Sequence, residues 1–141
     1  MTARRATPSD LDHVVELGLR FHANSVYAGA VPVVRDDWTD FASKLLASDT
    51  AAVFVSPAGF CGGMLNPAYW NYGARIADEL FWYAEDCSGT DLRLCLETWA
   101  RDEGADLLRF TCQADDHEPA MRRMMGMRGF RATEISLQKR L

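Results

Sequence analysis

The sequence predicts a mixed α/β fold: one sheet with antiparallel and parallel strands, flanked by about four helices, in a single domain. Apolar residues repeat at helical spacing in some stretches and run together or alternate in others. These stretches follow the order helix, helix, hairpin, strand, helix, strand, helix, strand. The strand–helix–strand section in the second half requires a right-handed parallel crossover, so the sheet is not wholly antiparallel. At 141 residues the chain has the length of one domain and buries roughly two-thirds of its unfolded surface without help from metal or disulfide.

Ser9, with Asp12 three residues later, has the form of a capping box in which Asp replaces the usual Glu or Gln. Leu11, Val14, Val15, Gly18, Phe21 and His22 keep helical spacing, which predicts a helix from about Ser9 to Ala23. Residues 24–35 hold Tyr27, Gly29 and Pro32 and read as a loop or broken helix. Asp36 and Asp37 suit the positive end of a second helix, whose buried stripe is expected to be Trp38, Phe41, Leu45 and Leu46. TAAVFVS (50–56) reads as a strand, PAG (57–59) as a turn and FCGGML (60–65) as the returning strand. Pro57 and Gly59 occupy the positions a type I turn favours. Gly62-Gly63 inside a strand implies a bulge or a close backbone approach. NPAYWNYGA (66–74) reads as an aromatic-rich loop.

Ile76 to Ala84 forms the next strand, and Thr90 to about Glu103 the helix after it. One face of that helix carries Leu92, Cys95, Leu96, Trp99 and Ala100, and Gly104 is placed to stop it. LLRFTC (107–112) is a short strand and QADDHEP (113–119) a loop. Pro119 stands near the first turn of a last helix striped by Met121, Met124 and Met125; these three and Met127 read as core filler rather than a binding groove. Gly129 ends that helix, and Phe130 to Arg140 reads as a final strand. In such a sheet the functional crevice is expected at the carboxyl ends of the parallel strands.

Composition removes several function classes. A net charge of −5 argues against nucleic acid as a partner, since a phosphate-backbone binder shows a clustered basic footprint. Arg4-Arg5, Arg122-Arg123 and Lys139-Arg140 are short and read as solvated edges. The apolar runs are far below membrane-spanning length, and MTARRATPSDLD has no apolar core of a signal peptide, so no membrane role is expected. Cys61, Cys87, Cys95 and Cys112 show no metal-like spacing, which makes a reducing cytoplasm the simplest compartment. No metal is expected.

Three stretches then carry a resemblance. The opening ATPSDLDHVVELGLRFHANS, the unit ELFWYA…ETWARDEGADLL and the ending AMRRMMGMRGF…LQKRL resemble GNAT-type N-acetyltransferases, in the right order and across nearly the whole chain. The likeness is greatest to short GNAT proteins of bacteria and their phages, with MRGF (127–130) and WARDEGA (99–105) fitting well. The resemblance implies a V-splayed mixed sheet that holds acetyl-coenzyme A in the splay. Its pantetheine arm would lie along the central strand, here Glu79 to Ala84, on the amides of Trp82, Tyr83 and Ala84. Its pyrophosphate would meet the amides of Ser88, Gly89 and Thr90 at the start of the next helix, where the dipole favours an anion. The implied reaction moves an acetyl group to a primary amine of a small molecule or peptide. The acidic net charge mildly favours a cationic acceptor.

Two departures bear on that reading. The family's pyrophosphate motif is R/Q-x-x-G-x-G/A. Counting back from Trp99 without gaps sets Gly89 on its last glycine, with Asp86 and Cys87 in place of the Arg-Gly pair and a shortened loop. If the loop keeps its length, Ser88-Gly89-Thr90-Asp91 is the cradle and the helix is shorter. Either way, carboxylates stand beside a site for a dianion. Many members also carry a Tyr that protonates the leaving thiolate; Met125 stands at that position and has no proton to give. These departures support an alternative from another class: a GNAT-fold binding module without catalysis, phage-encoded, acting by protein–protein interaction.

Glu79 is the candidate base, placed on the central strand on the face of Phe81 and Tyr83, where burial would raise its pKa. Its structural counterpart is a paired carboxylate at a strand end, the role expected for Asp78. DDHE (115–118) could offer a His or acid near the crevice, but reads more simply as a polar loop and helix cap. His13 could reach a cleft, whereas His22 lies on the apolar helix face as a core or interface histidine. Tyr69, Trp70 and Tyr72, taken with Trp82 and Tyr83, make either an acceptor-pocket lining or an aromatic surface suited to a homodimer.

Overall fold

A computed structural model describes residues 3–141. Five strands form one sheet in the order of the chain: β1 (Arg4–Arg5), β2 (Ala51–Ser56), β3 (Gly59–Ala68), β4 (Asn71–Ala84) and β5 (Leu107–Arg109). The first four are antiparallel, and β4 with β5 is parallel. Four helices accompany them: α1 (Leu11–Ala23), α2 (Arg35–Ala47), α3 (Gly89–Asp102) and α4 (Glu118–Gly126). The mixed sheet and the β4–α3–β5 crossover are those the sequence predicts.

The sheet is covered on both sides, which explains the unbroken apolar run of β2. Val53 and Val55 point to α1 and α2, where they meet Val14, Leu17, Phe60 and Phe81. Ala52 and Phe54 point the other way, to Leu92, Leu96 and Trp99 of α3. α1 and α2 approach closely at Gly18. A Cβ there would overlap the Trp38 indole, whose Nε1–H donates to the Val15 carbonyl at 3.2 Å.

Several boundaries differ from the sequence reading. The capping box sits two residues earlier: Thr7 N–H donates to Asp10 Oδ2 at 2.8 Å, and a 3-10 turn at Pro8–Asp10 leads into α1. Arg4-Arg5 is an edge strand rather than a free basic patch, paired with Val55 and Phe54. Residues 66–74 are no loop; β3 and β4 run through them and turn at Tyr69-Trp70. Phe41 is 40% exposed, off the buried stripe predicted for α2. Residues 130–140 form no strand, and Ile135 and Leu137 are 85% and 94% exposed. Their alternation fits a pleated strand, but a strand exists only beside a hydrogen-bonding neighbour.

The Gly62-Gly63 bulge is present and resets the faces of β4. Gly62 pairs with Phe81 but Gly63 with Glu79, so Leu80 is an extra residue in β4. The bulge flips the alternation. Ala77 packs on the α3 side of the sheet, whereas Phe81 packs on the α1–α2 side.

Candidate functional site

β4 and β5 stay together for three pairs only: Ile76 with Leu107, Ala77 with Leu108 and Asp78 with Arg109. Beyond Asp78 the strands part. Glu79 is the first residue in the gap, and its Oε2 accepts the Thr111 N–H at 3.0 Å. That bond ties the two arms of the splay together at its vertex. Because of the bulge, Glu79 continues the alternation of Ala77 and does not share the face of Phe81 and Tyr83 as expected from the sequence. Burial in the vertex pushes the Glu79 carboxyl up to about 7, against the downward pull of the Thr111 bond. Such a group is half ionised near neutrality, the condition a general base needs. Burial, with Glu79 nearby, likewise pushes the Cys61 thiol well up, leaving it inert as a nucleophile.

From Glu79 to Ala84 one edge of β4 has no strand partner among the described residues. The Glu85 N–H donates to the Ala58 carbonyl at 2.8 Å, so alternation turns the polar backbone groups of Tyr83 toward β3. Those of Trp82 and Ala84 face the open side. Of the three amides expected to hold an extended ligand, Tyr83 is therefore committed to the ladder, and Trp82 and Ala84 remain.

The turn after β4 is already internally bonded. Asp86 Oδ1 accepts the Ser88 N–H at 2.9 Å and also the Ser88 hydroxyl. The Ser88 hydroxyl and then its N–H hold the Asp86 carboxyl below the usual carboxylate range. The buried Ser88 hydroxyl meets Ser56 Oγ at 2.7 Å, and the neighbouring Ser56 carbonyl accepts from His13 Nε2 at 2.8 Å. One of the three amides expected to bind phosphate thus has an acceptor. Gly89 and Thr90 open α3, where backbone N–H groups have no intrahelical acceptor. A Cβ at Gly89 would find nothing nearer than Trp82 at 3.7 Å, so packing does not demand glycine there and the backbone stays approachable. Trp82 Nε1–H donates to the Gly89 carbonyl at 2.9 Å and fixes the turn to the strand.

Other sequence candidates separate from this centre. Asp78 pairs with Arg109 Nε at 2.5 Å, the structural role expected of it. Asp115 caps the His117 N–H at 2.8 Å and Glu118 pairs with Arg122 at 3.1 Å, so DDHE is a loop and helix start. His22 Nε2 donates to the Val31 carbonyl at 2.9 Å. Met125 of α4 is buried, whereas Met127, expected in the core, lies just past the helix and is 75% exposed. Tyr69, Trp70 and Tyr72 crown the β3–β4 hairpin, 60–83% exposed, and do not join Trp82 and Tyr83. Ten residue steps of strand, about 33 Å, separate Tyr72 from Trp82. Thr111, Ser56 and Arg20 were not singled out in the sequence. Arg20 of α1 reaches Glu85 Oε2 at 3.0 Å, bringing a cation beside a turn that carries none. Among the described residues no helix is long and apolar enough to cross a membrane, and no His/Cys/Asp/Glu group is arranged to hold a metal.

No family model and no curated protein matches the sequence. Solved structures do. A protein from Arthrobacter sp. FB24, named as an acetyltransferase, superposes with a TM-score of 0.77 at 25% identity, over 100% of this chain and 92% of its own. One from Clostridium acetobutylicum, named likewise and solved with acetyl-CoA, gives 0.73 at 16% identity, over 97% and 94%. AAC(6')-Iy, in complex with the bisubstrate analogue CoA-S-monomethyl-acetylneamine, gives 0.71 at 16% identity, over 99% and 96%.

Proposed function

We propose that this chain, which belongs to the GNAT superfamily by its fold and its full-length likeness to acetyltransferase structures, transfers an acetyl group from acetyl-CoA to a primary amine. The observation that carries the reading is Glu79: a carboxylate held at the vertex of the splay, with a pKa of about 7. The cosubstrate supplies an acetyl thioester, and every other element comes from the chain. The open backbone of Trp82 and Ala84 offers one donor and one acceptor each, spaced as in a strand, to an amide-bearing arm. The first-turn amides Gly89 and Thr90 and the α3 dipole favour the diphosphate. Glu79 takes the proton of the incoming ammonium, directly or through water, so that the neutral nitrogen attacks the thioester carbonyl. The carbon–sulfur bond then breaks, and the departing coenzyme A thiolate takes the proton that the new amide nitrogen sheds.

The rival reading, a GNAT-fold module that binds protein and does no chemistry, is favoured by one feature. Asp86 fills the Ser88 amide and adds negative charge where the diphosphate belongs. Thiol release from acetyl-CoA in the presence of an amine separates the two. The proposal expects release that falls at least 100-fold in Glu79→Gln, within the range of a lost general base. Release insensitive to Glu79, or none with any amine, would favour the binding module.

A further inference from the structure

We infer that the acceptor seat of this chain takes a primary monoamine carried on a flat apolar body, and not a polyamine or an amino sugar; this rests on the acetyl-transfer reading above. The seat is a cavity of about 320 Å³ between α1, α2 and β4. Its walls are Phe21, Trp38, Phe41, Val33, Leu80 and Phe81. The Trp38 and Phe81 rings stand 5.6 Å apart at 86°, and Trp38 and Phe41 6.0 Å apart at 41°. Planes set at such angles let an inserted ring stack on one wall and meet another edge-on. Gly18 lets the Trp38 indole settle against α1, and both residues line the cavity.

Charge decides between amine classes. Of the lining residues only His22 is titratable, and its Nε2 is engaged by the Val31 carbonyl. No carboxylate lines the cavity. A second or third ammonium would therefore lose its water and gain no partner, which is costly. A single amine avoids this by pointing out of the seat. Leu80 and Phe81 directly follow Glu79 in β4, and β4 has no parallel partner from Glu79 onward among the described residues, so the seat borders the gap that Glu79 enters from the other face. Three of the walls, Phe41, Leu80 and Val33, are 40%, 38% and 37% exposed, apolar surface that such a body would cover.

The test uses the full chain and three probes: 2-phenylethylamine, ethylamine and spermidine. Equilibrium binding of each is measured by calorimetry, and acetyl transfer is measured with acetyl-CoA present. We expect 2-phenylethylamine to bind and react at least ten-fold better than ethylamine, with spermidine no better than ethylamine. Phe41→Ala, at a part-exposed position that the core does not need, should cut the phenylethylamine-to-ethylamine ratio several-fold. Val33→Trp, which fills the seat from the loop, should do the same. Preference for spermidine, or a ratio unmoved in both variants, would overturn the inference. Phenylethylamine binding with the expected ratio but no transfer to any amine would uphold the apolar seat and overturn the acetyl-transfer reading instead.

Discussion

At the scale of single residues, Glu79 joins the fold to the proposed chemistry. Its carboxyl is raised from 4.5 to about 7 by burial, so the folded state holds its proton over a pH range where the unfolded state has released it. Stability is therefore expected to fall as pH rises from about 4.5 to about 7 and to level off above. Glu79→Gln should lose that slope and unfold at the same temperature or higher at pH 8, as thermal melts across pH 4–9 would show. In transfer assays the parent chain should show kcat/KM rising with an inflection near 7, and the variant a flat, low profile. Glu79 itself was legible in the sequence because a carboxylate inside an apolar strand is conspicuous. Its partner Thr111 was not, since nothing local marks a backbone N–H as the group that meets a side chain 32 positions away. Its face was misread because the alternation of a strand holds only up to a bulge, and Leu80 is one residue too many.

Among elements, the turn between β4 and α3 is where sequence and structure agree least simply. Its departure from the family motif was visible in Asp86, Cys87 and Asp91. That Asp86 folds back onto Ser88, and that Ser88 is tied to Ser56 and through it toward His13, depends on contacts between three distant segments. Asp86→Ala should free the Ser88 amide and remove a negative charge from the proposed diphosphate site. Acetyl-CoA affinity is expected to rise several-fold, measured by calorimetry at low salt, where the gain is least screened. Loss of affinity would mean that Asp86 holds the turn in its binding shape. The α1–α2 pair offers a second prediction. Gly18→Ala forces a methyl into the Trp38 indole and should destabilise the chain by about 1–3 kcal/mol in urea unfolding. The helices themselves were plain in the sequence from their apolar spacing. The 66–74 hairpin was not, because Asn, Pro and Gly in that stretch imitate loop chemistry while the ladder with β3 decides its conformation.

For the whole molecule, a sheet covered on both faces, parallel at one side and parting after three pairs, places an open strand edge, a helix N-terminus and a raised carboxylate around one gap. The order of elements, readable from periodicity alone, fixed this architecture. The parting of β4 and β5 was anticipated only through the family resemblance, since residues 107–112 read as one continuous strand. The exposed aromatic hairpin at Tyr69, Trp70 and Tyr72 lies at the far end of β4, so Trp70→Ala should leave transfer kinetics unchanged. Should the chain form a homodimer through that surface, the same variant would shift its sedimentation toward monomer.

Titration of acetyl-CoA into the full chain by calorimetry tests the central claim most directly. The splay, the open edge at Trp82 and Ala84 and the amides of Gly89 and Thr90 predict one saturable site, competed by coenzyme A. No heat at millimolar acetyl-CoA, together with no rise in melting temperature, would contradict it.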